Sequence, residues 1–479
     1  MFSIFLLRLV RTVAAIMALA ALHTGQAGSV PNIVFIHADD LGWGDLGCYG
    51  QKFIATPRID GMAAEGLRFT QYYAGSTVCG PSRCCLLTGR HTGHATIRGN
   101  ARDITLNESD RTVATALSQA GYATACIGKW GLGHNDQPGA ANRRGFDHFF
   151  GYTDHSHAHN YYPDFLWRNG EKVPLRNAID WPAGVGPMAE RPAVAREKRD
   201  YSADFITEEA IRWLKEHAKA DGKPFFLYYA PTLPHANNES KPNGMEVPDA
   251  GHYADKDWTA PNKGRAAMIS RLDRDVGRVL DTLRECGVER QTIVFFSSDN
   301  GPHREGGSDP AFFKSSGPFR GIKRDLYEGG IRVPMIVRWP GQLSPGTTDA
   351  LLAHWDFFPT ACDLAGAPAP GRTDGVSYAP RLRGETAAVK AHEVLYWEFF
   401  EGAPRFAIRR GSHKAIFWSG PKENRAELYD VSADPGEEHD LAAERPELVA
   451  ELRKLAEAQH TPSEFESWNF SAAAEKSSR

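Results

Sequence analysis

Apolar residues fall along this chain in two textures. Short unbroken runs occur at Asn32–His37 (NIVFIH), Tyr122–Ile127, Phe225–Tyr229 (FFLYY), Thr292–Ser297 and Val333–Arg338. Runs of this length without polar alternation read as strands buried on both faces. Between them, apolar positions recur at helical spacing near Arg111–Ala120, Ala203–Ala218, Gly264–Cys286 and Trp355–Leu364. Thr56-Pro57 supplies an N-cap and a first-turn proline for a further helix running to about Glu65. Strand and helix alternate, which predicts an α/β fold with a mainly parallel sheet covered by helices on both faces.

The texture changes after the Gly/Pro/Ala-rich stretch GAPAPGRTDG (366–375), where Val394–Phe400, Arg405–Arg409 and Lys414–Trp418 read as short antiparallel strands. A boundary near residue 385 follows, with a catalytic-sized α/β unit over 28–385 and a smaller antiparallel subdomain with a polar tail over 386–479. The total of 479 residues suits one large domain and one small one.

Ahead of the first strand, Arg8 and Arg11 precede an apolar run from Val13 to Leu22, followed by small residues at Gly25 and Ala27. That is the pattern of a secretory signal peptide over residues 1–27, and the run is shorter than the ~20 residues of a membrane span. Export to the periplasm or the medium, without stable membrane insertion, is the expectation. The 55 basic and 59 acidic residues leave a net charge of −4 and gather into no long run, which removes nucleic acid as a partner and favours a small molecule or glycan. Seven cysteines (48, 79, 84, 85, 126, 286, 362) are scattered without metal-type pairs, and their odd number leaves at least one outside any internal disulfide.

Residues 79–90 read Cys-Gly-Pro-Ser-Arg-Cys-Cys-Leu-Leu-Thr-Gly-Arg. This resembles the type I sulfatase signature C-x-P-S-R-x-x-x-L-T-G-R at all eight specified positions. The resemblance, of arylsulfatase and N-acetylgalactosamine-6-sulfatase type, runs from about Pro31 to Ala442 and includes GYATACIGKWGLG, RGFDHFFGY and LYDVSADPGEEHDLA. It implies an alkaline-phosphatase-like α/β domain with a smaller C-terminal antiparallel sheet. It also implies that Cys79 is oxidised to formylglycine by a maturation enzyme directed by Pro81 and Arg83. An aldehyde hydrate has two hydroxyls on one carbon, one to attack sulfur and one to expel it. Cys84 and Cys85 lack a proline two positions on and read as packing cysteines.

Asp39 and Asp40 follow the first strand, and Asp299 and Asn300 follow the strand TIVFFSS, so both pairs fall at strand C-terminal ends where open α/β sheets bind ligands. Oxygen donors without thiolate or imidazole describe a hard-cation site, Ca²⁺ ahead of Mg²⁺. The resemblance carries these four positions over as metal ligands, with the oxygen of modified Cys79 as a fifth. It also makes Arg83, Lys129 and Lys323 the cations for sulfate, and His235 the residue that protonates the leaving alcohol. One position departs: the family commonly reads Lys-Trp-His after the strand, and this chain has Gly131 in the third place. The base for the elimination step then falls to His155, His157 or His159, or to a carboxylate such as Asp299.

For substrate, the segment GYTDHSHAHNYYPDFLWRNG (151–170) either stacks on a sugar or packs as a rim, and His303 is a candidate substrate contact. A sulfated carbohydrate is the leading substrate, ahead of simple aryl sulfates. Two rivals stand beside this reading: a phosphate mono- or diester hydrolase of related architecture, and a silent protein that binds sulfated glycans with Cys79 unmodified.

Overall fold

The computed structural model describes residues 30–101, 104–219, 222–385, 390–420 and 425–470. The leader read at residues 1–27 lies outside them, as does the tail after 470. The strands that matter to the site are β1 (Asn32–Ala38), β2 (Leu67–Phe69), β3 (Ala123–Lys129), β4 (His148–Tyr152), β5 (Phe165–Arg168), β6 (Glu171–Pro174), β7 (Phe225–Ala230), β8 (Thr292–Ser298), β9 (Met335–Arg338) and β10 (Gly346–Thr348). They form one ten-stranded sheet in the order β10-β2-β9-β8-β1-β7-β3-β4-β5-β6. The inner five, β8-β1-β7-β3-β4, are parallel. The run at Val333–Arg338 belongs to β9, which lies antiparallel to β8, so the sheet is mixed beyond its parallel centre.

Alternate residues of β1 show why these strands are continuously apolar. Ile33 and Phe35 pack into one core with α2 (Cys79–Thr88), α3 (Val113–Gln119) and α6 (Phe357–Ala365). Val34 and Ile36 pack into the opposite core with α1 (Pro57–Ala64), α4 (Ser202–His217) and α5 (Ala260–Glu285). Each sheet face is thus roofed by helices, and every position of β1 is buried.

Thr56 does not cap α1. Its hydroxyl accepts from the Gly47 amide and donates to Asp60, while the first-turn amides of Arg58 and Ile59 donate to the Asp273 carboxylate from α5 at 3.0 and 2.8 Å. A partner brought by tertiary packing takes the place of the local cap.

Beyond residue 390, β11 (Leu395–Phe399), β12 (Arg405–Arg410), β13 (His413–Trp418) and β14 (Ala426–Asp430) form a four-stranded antiparallel sheet with α7 (Pro446–Glu457) packed on it. β14 and α7 add to the three strands read from sequence. None of the cysteines is in a disulfide, and Cys84 and Cys85 are buried in the first core. Among the described residues no helix is long and apolar enough to cross a membrane.

Candidate active site

Every sequence-predicted site residue sits at the C-terminal end of the parallel strands or faces it. Asp39 and Asp40 leave β1, Lys129 ends β3, His235 follows β7, and Asp299-Asn300 follow β8. Cys79 is the first residue of α2, Arg83 lies one turn on, and Lys323 arrives on the loop before β9. Asp40 takes a left-handed backbone with φ of 64°, a conformation that side chains disfavour and that functional sites tolerate. Its amide donates to Asp299 Oδ1 at 3.0 Å.

Hydrogen bonds join these side chains into one buried network. Lys129 Nζ donates to Asp39 Oδ2 at 2.7 Å, and Lys323 Nζ donates to Asp40 Oδ2 at 2.8 Å. The Asn300 amide donates to Asp40 Oδ1 at 2.7 Å. Arg83 gives Nε and Nη2 to Asp299 Oδ2 at 3.0 and 2.8 Å, and Nη1 to the Lys129 carbonyl at 3.0 Å. Its donors therefore brace a carboxylate and a strand end. Asp39, Cys79 and Asp299 bring ligand atoms within 4.8 Å of one another.

Two acceptors in this cluster, Asp39 Oδ1 and Asn300 Oδ1, are buried without a hydrogen-bond donor. Burial pushes the Asp299 carboxyl up to about 7, with the Asp39 charge adding to the rise and Arg83 opposing it. Burial also works to raise Asp40, but Lys323 outweighs it and holds that carboxyl well below its usual range. Orphaned oxygens on a carboxylate and an amide, beside a crowded second carboxylate, fit a hard divalent cation.

His235 Nδ1 donates to the Ala236 carbonyl at 2.6 Å, which leaves Nε2 to accept from Lys323 Nζ at 3.1 Å. Burial, then Lys323, lowers the imidazole well below its ordinary value, in keeping with this neutral tautomer. The three histidines of the 151–170 segment part company. His157 is buried against Tyr152 and Phe165. His159 stacks on His235 with ring centroids 4.7 Å apart. His155 lies beside Gly131, where a Cβ would sit 3.6 Å from the His155 Cβ, and Lys129 and Lys323 are among the charges it feels.

Three aromatic residues of that segment are packing residues: Tyr152, Tyr161 and Phe165 are fully buried, and the Tyr161 hydroxyl donates to the Thr232 and His235 carbonyls. His303 is likewise no free substrate contact. Its Nδ1 accepts from the Glu305 amide at 3.0 Å and its Nε2 donates to the Pro234 carbonyl at 3.2 Å, which uses both ring nitrogens.

The fold and this cluster can be set against known proteins. A family model described as Sulfatase matches residues 31–367. The chain belongs to the sulfatase family. A second model, described as N-sulphoglucosamine sulphohydrolase, C-terminal, matches residues 320–461 of this sulfatase. Human arylsulfatase A is 33% identical over 91% of this chain and 89% of its own length. The N-acetylgalactosamine-6-O-sulfatase of Bacteroides thetaiotaomicron is 30% identical over 91% and 94%. A chain solved in work on the metabolism of multiple glycosaminoglycans by Bacteroides thetaiotaomicron aligns with a TM-score of 0.73 and 29% identity, covering 90% of this sulfatase and 99% of that chain. The protein is a sulfuric ester hydrolase.

Two site residues escaped the sequence reading. Glu305 Oε2 lies 3.2 Å from Lys323 Nζ and 3.9 Å from His235 Nε2, at the partly exposed edge of the cluster. Asn100 reaches Cys79 from a loop beyond α2. Glu305 was visible only as one more charge in DNGPHREGG, and Asn100 had no local signal at all.

Proposed function

We propose that this sulfatase hydrolyses the sulfate ester of a sulfated carbohydrate, using formylglycine made from Cys79 and one Ca²⁺ held by Asp39, Asp40, Asp299 and Asn300. The observation that carries the reading is the meeting of Cys79, at the N-terminus of a buried ten-residue helix, with carboxylate and amide oxygens that lack donors. Formylglycine supplies two hydroxyls on one carbon, one for attack on sulfur and one for expelling sulfate. A bound Ca²⁺ supplies Lewis-acid charge for a sulfate oxygen, and the residue 79 oxygen adds a ligand to it.

The protein's own groups do the rest. Lys129, Lys323 and the positive end of α2 face the negative oxygens of the sulfate, and Arg83 fixes Asp299 in place. His235 and Lys323 share a hydrogen bond and hold the proton delivered to the leaving alcohol. His155, beside Gly131, takes the proton in the elimination step; His157 is turned into the core, and both Asp299 oxygens already accept hydrogen bonds. The carbohydrate preference rests on the N-acetylgalactosamine-6-O-sulfatase relative and on the neighbour from glycosaminoglycan metabolism. Residues 1–27 direct export, a maturation enzyme converts Cys79, 28–385 form the catalytic unit, and 386–479 form the C-terminal subdomain.

The test is peptide mass spectrometry around Cys79 in exported protein, together with turnover of matched aryl sulfate and aryl phosphate. Aldehyde at residue 79, sulfate turnover well above phosphate turnover, and loss on chelation with recovery on adding Ca²⁺ are expected. Thiol alone, in a host with active maturation machinery, would sink the mechanism.

A further inference from the structure

Helix α2 begins with a deficit. Its N-cap residue, Val78, has no polar side chain, and Pro81 contributes no N–H. The buried first-turn donor of Gly80 is instead taken by Asn100, whose Oδ1 accepts from the Gly80 amide at 2.9 Å. That bond fixes the Asn100 amide plane, because only the oxygen can face an N–H. The Nδ2 group is then left 3.5 Å from Cys79 Sγ.

Asn100 is held where it is from outside the catalytic sheet. A Cβ at its neighbour Gly99 would lie 2.9 Å from Trp468 Nε1. Arg98, buried, donates to the Ala95 carbonyl at 3.0 Å and to Glu398 of β11 at 3.2 Å. The fit at the other end is equally close, since a Cβ on Gly80 would fall 2.6 Å from Asn100 Oδ1. The unspecified second position of the Cys-x-Pro-Ser-Arg motif is therefore coupled to a residue in another loop.

In the converted residue an oxygen occupies the place that Sγ marks. We propose that Asn100 is a positioning residue for residue 79: its Nδ2 donates to the oxygen on that side chain and holds the hydrate in one orientation, while its Oδ1 caps the helix. This rests on the formylglycine reading above. It assigns Asn100 a part in orienting the nucleophile, and assigns Trp468 and Glu398 the part of keeping the Asn100 loop in register with it.

The experiment compares wild type, Asn100→Ala, Gly80→Ala and the double variant. Four quantities are read: aldehyde occupancy of residue 79 by peptide mass spectrometry, the rate of oxime formation with an aminooxy probe on folded protein, kcat and KM on an aryl sulfate, and Tm. Occupancy should be equal in all four, with Tm within about 2 °C, the scale of a lost cap in a protein of this size. The Asn100→Ala variant should lose about 10²-fold in kcat, as for removal of a donor from a reacting centre, with KM moved less than about threefold. Its aldehyde, no longer held, should form the oxime several-fold faster. Gly80→Ala should reproduce both effects by displacing the same amide, and the double variant should be no worse than either single, the sign of one shared interaction.

A fully converted Asn100→Ala enzyme with kcat near wild type overturns the proposal. So do losses that multiply in the double variant. A drop in aldehyde occupancy in Asn100→Ala also overturns it, placing the residue in maturation instead. Thiol in the wild type itself is a different failure, that of the formylglycine reading, and is seen before any variant is compared.

Discussion

Two buried carboxylate clusters of this sulfatase use the same residue types to opposite ends. At the strand ends, Asp39, Asp40 and Asp299 meet Lys129, Lys323 and Arg83, yet Asp39 Oδ1 and Asn300 Oδ1 are left without donors. In the second cluster, Glu328 and Glu437 share Lys414 of β13 at 3.0 and 2.9 Å. There Glu328 also accepts from the Tyr73 hydroxyl and from Arg332 at 3.1 Å, and Glu437 Oε2 accepts from the Glu328 amide at 2.6 Å. Both Glu328 oxygens and Glu437 Oε1 lie within ion-pair reach of Lys414 or Arg332, although Glu437 Oε1, like Asp39 Oδ1, accepts no hydrogen bond. The second cluster ties the C-terminal sheet to the segment that carries Lys323, and that cross-link marks it as a fastening. In the first, ligand atoms of Asp39, Asp299 and Cys79 converge beside the open acceptors at the strand ends, which marks a site built to receive something.

Truncating a lysine in each cluster should separate the two roles. Lys323→Ala removes a group that faces the reacting centre, and a loss in kcat/KM of about 10²–10³-fold is expected from aryl sulfate kinetics with Ca²⁺ saturating. Lys414→Met should do the reverse. It leaves Glu328 and Glu437 buried against each other, which costs about 3–5 kcal/mol in denaturant unfolding, while the folded enzyme keeps turnover within about threefold. If the lysine of the site proved the more costly to stability and Lys414 the more costly to rate, the distinction drawn between the clusters would be wrong.

The sequence revealed the first cluster far better than the second, for a physical reason. Asp39-Asp40 and Asp299-Asn300 each sit just past an apolar run, so the rule that strand C-terminal ends bind ligands locates them without any knowledge of the sheet order. Cys79 and Arg83 lie in one contiguous motif. Glu328, Lys414 and Glu437 come from three separate segments, and nothing in EGGIRVP or LYDVSADPGEEHDLA says that their charges meet. Asn100 was hidden in the same way. The direction of β9 was hidden too, because an apolar run reads alike in parallel and antiparallel neighbours, and α1 drew its cap from Asp273 on a distant helix.

The smallest expected effect tests the second cluster through its titration. Burial raises the Glu437 carboxyl to about 7, with Lys414 opposing and the Glu328 charge adding to the rise. Glu328 goes the other way: burial works to raise it, but Lys414, Arg332 and Arg409 hold it down to about 2. An unfolded glutamate titrates near 4.5. Between about 4.5 and 7, then, native Glu437 keeps a proton that the unfolded chain has released, and stability falls as pH rises through that window. Glu328 contributes no slope there, because it is ionised in the native state throughout and its own loss comes only as pH falls below about 4.5. Glu437→Gln keeps an oxygen for the Glu328 amide and cannot ionise. The stability of wild type relative to this variant should therefore decline between pH 5 and pH 7.5, by on the order of 1–3 kcal/mol, in denaturant midpoints measured side by side. A difference that stays level across the window would mean that Glu437 is already ionised beside Lys414, and that the fastening is a plain ion pair at every pH.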